Sequence, residues 1–238
     1  MTRAVALAAA VLLTALPGEA QVLTDVPIES PRSGGVVFRL GGYEPQIDSE
    51  EGLSGQPYEK VFGAEGMLLF EVEVERFLYQ GIGTAGLSLT AGYAEKYGQA
   101  RLDDGGLAPE GTSLTVLPLR ARGFYKFDYA AFHWGIPLVP YGKLGLIYMP
   151  WWTTKGGEYE IVNGQEGRGG RWGYELVGGL SLLLDVLEPR FARDFDTNLG
   201  VNHSYLFAEY TYAKVNSFGA PGLDLSDSYW MFGLALDY

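Results

Sequence analysis

An eight-stranded antiparallel transmembrane β-barrel, all-β and up-and-down, is the fold that this sequence predicts. Three observations predict it. The chain opens on the pattern of an export signal, the remainder alternates apolar and polar residues over eight long segments, and aromatic residues collect where those segments end. Composition agrees. Of 238 residues, 14% are aromatic and 34 are glycine. Lys plus Arg number 17 against 29 Asp plus Glu, a formal charge of −12 that leaves no basic footprint for nucleic acid. There is no cysteine, which excludes a disulfide framework, a thiolate metal site, a Cys nucleophile and a lipid-modified N-terminal Cys.

Residues 1–20 read as a secretory signal peptide. Arg3 supplies the positive start, and Ala4 to Leu16 form an apolar run broken by Thr14. Pro17 ends the run, and Gly18 and Ala20 are small enough to precede a cut at Gln21. The run is shorter than the ~20 residues of a spanning helix. A short periplasmic lead, 21–33, follows, and the barrel domain is expected over 34–238.

Eight strands are expected after it: Gly35 to Tyr43, Gly66 to Arg76, Gly83 to Tyr93, Ser113 to Phe127, Val139 to Met149, Trp172 to Leu184, His203 to Lys214 and Ser228 to Tyr238. Each exceeds the usual globular strand of about 5–6 residues. A tilted membrane strand needs about 9–11. The second strand shows the logic. Leu68, Phe70, Val72 and Val74 share one face, and Glu71, Glu73 and Glu75 share the other. The last strand carries Trp230, Phe232, Leu234, Leu236 and Tyr238 on one unbroken apolar face. A soluble sandwich also alternates. Two features favour lipid outside: charges and glycines recur on the opposite face, and Tyr93, Tyr125, Phe127, Trp151, Trp152, Trp172, Tyr174 and Trp230 sit near strand ends as an interfacial girdle would. Connections alternate long and short, with 44–65, 94–112 and 150–171 long, though 185–202 is long where a periplasmic turn is expected.

Two stretches carry a resemblance. Leu187 to Tyr210, LEPRFARDFDTNLGVNHSYLFAEY, and Ser228 to Tyr238, SYWMFGLALDY, resemble the small outer-membrane β-barrel proteins known mainly from myxobacteria and their relatives. The resemblance implies the architecture and no reaction. The last strand also resembles the assembly signal of outer-membrane barrels through Gly233, Leu236 and Tyr238, although Met231 stands where a polar residue is usual and Tyr238 where Phe is commoner. The implied partners are outer-membrane lipid, periplasmic chaperones and the barrel assembly machinery, in a Gram-negative-type envelope.

The inward face carries the candidate site, a lumen charge network of Arg39, Glu71, Glu73, Glu75, Arg120, Arg122, Lys143, Glu175 and Glu209. An eight-stranded barrel is just wide enough for side chains to fill it, and buried charges must pair. The network therefore reads as a plug that closes the lumen; a narrow ion path is the rival. No catalytic or metal set emerges. His133 and His203 are the only histidines, both near predicted periplasmic connectors, and Asp194, Asp196 and His203 match no ligand spacing. Loop acids Asp48, Glu50, Glu51 and Glu59, and Asp103, Asp104 and Glu110, read as solvation rather than a calcium site. No cofactor is expected. The expected role is a non-catalytic structural or surface-interaction barrel. A small ion-conducting pore is the alternative, with a soluble periplasmic ligand-binding barrel or a barrel enzyme behind it.

Overall fold

The computed structural model describes residues 32–50, 55–100, 106, 108–159, 161–162, 165–186 and 200–238. The expected signal peptide, most of the lead, Glu51, Asp103, Asp104, Asp194 and Asp196 lie outside the described residues, as do 187–199 of the resembling connector. The eight strands are β1 (Gly34–Tyr43), β2 (Met67–Gly81), β3 (Gly83–Gly98), β4 in two segments (Thr112–Val116 and Leu119–Lys126), β5 (Leu138–Lys155), β6 (Arg168–Leu183), β7 (His203–Lys214) and β8 (Asp227–Asp237). Each pairs antiparallel with its sequence neighbour, and β8 pairs with β1, so the sheet closes into an up-and-down barrel with no open edge.

Several strand boundaries differ from the sequence reading. The fourth strand is interrupted at Leu117 and Pro118. Proline brings no N–H to the ladder, and here the Leu117 N–H turns to the Pro150 carbonyl, 2.9 Å, while the Pro118 carbonyl accepts from Gly92, 2.8 Å. β3 runs on to Gly98, and β2 runs on to Gly81, past a register shift between Phe77 and Tyr79. That leaves a one-residue turn at Ile82, which Gly83 permits with φ +119°. β5 extends to Lys155, and the hairpin beyond it adds a short ladder at Glu158–Tyr159.

Among the described residues, two short α-helices sit in the connections. Helix α1 (Pro57–Phe62) lies in the first long loop, with proline in its first turn and the Asp48 carboxylate accepting from the N–H groups of Tyr58, 2.7 Å, and Glu59, 2.9 Å. Helix α2 (Tyr129–Trp134) lies in the β4–β5 connection and ends at Gly135 in the left-handed region, φ +67°. Both described chain ends lie on the side of the Ile82 turn, where the Ser33 N–H donates to the Tyr238 carbonyl, 2.6 Å. This side is the turn end, and the opposite side is the loop end.

The wall has the predicted sense. Phe38, Leu68, Leu89, Leu144, Leu176, Leu206 and Phe232 point outward and are exposed. The alternating set on the same strands points inward and is buried. Trp151 is a correction to the aromatic girdle. It packs against the interior cluster, because it shares the parity of Ile147 and Met149 rather than that of Trp152.

Candidate functional site: the charged interior

The inward positions form layers. Toward the loop end is an apolar layer that the sequence reading missed, built from Tyr43, Leu69, Leu114, Ile147, Met149 and Met231 among others. Below it lies the charge layer, and near the turn end a second apolar cluster includes Val37, Val139 and Phe207.

All nine residues named from the sequence are in the charge layer, each no more than 5% exposed. Arg39 reaches Glu73 at 2.6 Å, Glu209 at 3.1 Å and Glu71 at 3.7 Å. Arg120 contacts Glu71 at 2.6 Å and also Glu175. Arg122 contacts Glu175 at 2.5 Å and Glu73 at 2.6 Å. Lys143 contacts Glu73 at 2.5 Å and Glu75 at 3.1 Å. Four further side chains complete the layer. Lys126 pairs with Glu75. The Thr90 hydroxyl donates to Glu73 at 2.9 Å, and the Tyr141 hydroxyl to Glu209 at 2.8 Å. The Tyr229 hydroxyl accepts from Arg120 at 2.7 Å. Every strand thus contributes a side chain. The cations Arg39, Arg120, Arg122, Lys126 and Lys143 balance the carboxylates Glu71, Glu73, Glu75, Glu175 and Glu209. A balanced set is the condition for burying this much charge, because an unpaired buried ion costs several kcal/mol.

Glycine sets the spans between partners. Gly145 stands between Arg122 and Glu175 in one cross-strand row. A β-carbon at Gly145 would lie 2.8 Å from Cγ of Arg122, so its absence lets the two flanking side chains meet over β5. Gly179 stands likewise between Tyr141 and Glu209, which are hydrogen-bonded. Gly233 lies in the row between Arg39 and Phe207, and the Arg39 guanidinium sits 5.9 Å from the Phe207 ring centre. Lys126 had a legible signal, because it shares the parity of Arg120 and Arg122. Tyr141 and Tyr229 had a weaker one, since an inward tyrosine is not distinguished by alternation from an inward apolar residue.

The turn-end rim continues the network. Arg32 contacts Asp128 at 3.0 Å and Asp237 at 3.5 Å, and the Thr84 hydroxyl donates to Asp128 at 2.7 Å. His203 is buried, with Nδ1 2.5 Å from Asp185 and its ring 4.8 Å from that of Phe132. Both contacts hold the start of β7. His133 stacks on Tyr129 at 3.8 Å within α2. The three assembly-signal positions lie on or beside β8. Gly233 faces inward, Leu236 pairs with Val36 and Ser204, and Tyr238 is partly exposed just past the strand. At the loop end, Glu50 accepts from the Gly222 N–H at 3.0 Å, tying the first loop to the last. Arg171 donates to the carbonyls of Leu223, 2.7 Å, Pro221, 2.9 Å, and Ala220, 3.1 Å.

A cavity among Glu75, Lys126, Tyr141 and Lys143 has a volume of about 10 Å³, room for one water at most. Charge inside and hydrocarbon outside is the reverse of a water-soluble barrel. It is the arrangement of a barrel whose wall meets lipid.

No family model and no curated protein matches the chain. Among solved structures, the chain is similar to the outer-membrane protein OprG of Pseudomonas aeruginosa, with 14% identity, 87% of this chain and 97% of that chain covered, and a TM-score of 0.47. It is similar to Ail, the attachment invasion locus protein of Yersinia pestis, at 12% identity over 87% and 97% of the two chains, with a TM-score of 0.45. Neisserial surface protein A shows 11% identity over the same shares, with a TM-score of 0.42.

Proposed function

We propose that this chain is an integral outer-membrane β-barrel whose lumen is closed by its charge layer and whose role is structural or surface-interacting rather than catalytic. The observation that carries the reading is the inverted barrel. Nine charged side chains are buried and, with the part-buried Lys126, mutually paired inside, while the leucines and aromatics of the wall are exposed. In water such a wall would be an aggregation surface. In hydrocarbon it faces a favourable solvent, and pairing of β8 with β1 leaves the sheet no open edge. Short connections and chain ends lie on the periplasmic side in such barrels. The turn end is therefore assigned to the periplasm and the loop end, with Glu44, Asp48, Glu59 and Asp227 around a surface hollow of about 410 Å³, to the exterior. Export through the signal peptide, passage by periplasmic chaperones and insertion by the barrel assembly machinery belong to the same reading, as does the resemblance of the last strand to an assembly signal.

The test is a gel run unboiled and boiled in SDS, with flotation of the reconstituted protein in vesicles. A heat-dependent mobility shift and co-flotation are expected. Release into the soluble periplasmic fraction with no shift would overturn the reading and favour a ligand-binding barrel.

A further inference from the structure

The outward wall carries one cation that the interior does not explain. Arg76 points outward from β2 and is exposed. Its outward neighbours are Val74, Leu78 and, across the ladder, Leu87. Among the described residues, its side chain has neither an ion-pair nor a hydrogen-bond partner. Other outward charges, such as Glu95, Arg168 and Lys214, lie toward the loop end of their strands. A guanidinium bordered by hydrocarbon is costly unless an anion or water meets it.

Arg76 also ends a depression. Two consecutive cross-strand rows bound it: Arg76, Leu87, Gly123, Leu144 and Leu176, and, beside them, Val74, Leu89, Ala121, Leu146 and Tyr174. Ala121 and Gly123 on the central strand are small, and the leucines on both sides stand above them. The hollow has a volume of about 790 Å³. It crosses five strands, roughly 19 Å at the usual strand spacing.

We propose that this hollow binds one inner-leaflet phospholipid, its phosphate on Arg76 and one acyl chain over Ala121 and Gly123. The proposal rests on the reading of the wall as lipid-facing. A phosphate supplies the missing anion in charge-assisted hydrogen bonds, and the apolar hollow supplies the chain site. Arg76 lies at the turn end, the periplasmic side, where glycerophospholipid headgroups lie. Among the described residues, the outward carboxylate Glu95 is at the other end of β3, away from that height.

Native mass spectrometry of the full barrel, from micelles containing phosphatidylglycerol or diacylglycerol of the same chains, tests this. One phosphatidylglycerol should be retained in preference to diacylglycerol. Arg76→Gln should weaken retention about tenfold, the loss expected for a charged hydrogen bond. Gly123→Leu should displace the lipid without disturbing the fold, because a β-carbon there meets no atom within 4 Å. Equal retention of the two lipids by the unaltered protein, or retention unchanged by both substitutions, overturns the site. Flotation of the same sample in phosphatidylcholine vesicles separates the failures. Flotation without specific retention removes only the site, whereas no flotation removes the membrane reading itself.

Discussion

Replacing Arg122 by Met removes the cation that joins Glu175, 2.5 Å, to Glu73, 2.6 Å, in a layer where all three side chains are fully buried. The perturbation leaves five carboxylates facing four cations. Breaking one side of a buried pair costs about 3–5 kcal/mol, mostly the penalty of the uncompensated partner. Glu175→Gln makes the opposite error, leaving Arg120 and Arg122 without their shared carboxylate, and should cost a similar amount. The double substitution restores the balance of four against four. Its cost should therefore fall short of the sum by about 1–3 kcal/mol. The assay is reversible urea unfolding in vesicles, followed by tryptophan fluorescence, with the slope checked so that midpoint changes report stability. Costs that add to within about 0.5 kcal/mol would refute the argument, because they would mean that the two groups do not act as one network.

Three further outcomes are expected. In planar bilayers the protein should give no ion-conducting steps, and Arg120→Leu should lower thermal stability; cation-selective steps in the unaltered protein, or a conductance change with stability intact, would move the reading to a pore. Leu144→Arg, at an outward position 65% exposed, should cost about 2–4 kcal/mol in a bilayer, less near the interface, where a water-facing site would change by no more than about 0.5; urea midpoints decide. In the last loop, burial pushes the Asp224 carboxyl up, but the Ser226 hydroxyl and backbone N–H together with Lys214 outweigh it and hold it below the usual range. Its stabilisation is present above the unfolded carboxylate value of about 4 and is lost as pH falls through the lower folded one. Limited proteolysis of residues 216–224 should accelerate in that acid window, and Asp224→Asn should abolish the pH dependence.

Alternation is a local property, and it was enough to assign the wall. Period two in β2 separates Phe70, Val72 and Val74 from Glu71, Glu73 and Glu75 with no knowledge of the neighbouring strands. The same parity would have placed Lys126 inside and Trp151 against the interior. Their proximity to strand ends, where aromatics and lysines are expected at an interface, masked it. Pro118 was visible in the sequence. The extent of its interruption depended on where the Leu117 N–H could go, and that is a carbonyl on β5.

Which side chains face which solvent is legible in the residues alone, because Cβ direction alternates residue by residue along any strand. Which partners meet is set by the assembled barrel. Arg122 finds Glu175 because β4, β5 and β6 align in a register that puts Gly145 between them, and Arg39 reaches Glu209 only after β8 has closed onto β1. Register and closure are non-local. A slip of two residues preserves every face and changes every pair, so alternation cannot fix them, and the ladder of the closed barrel does.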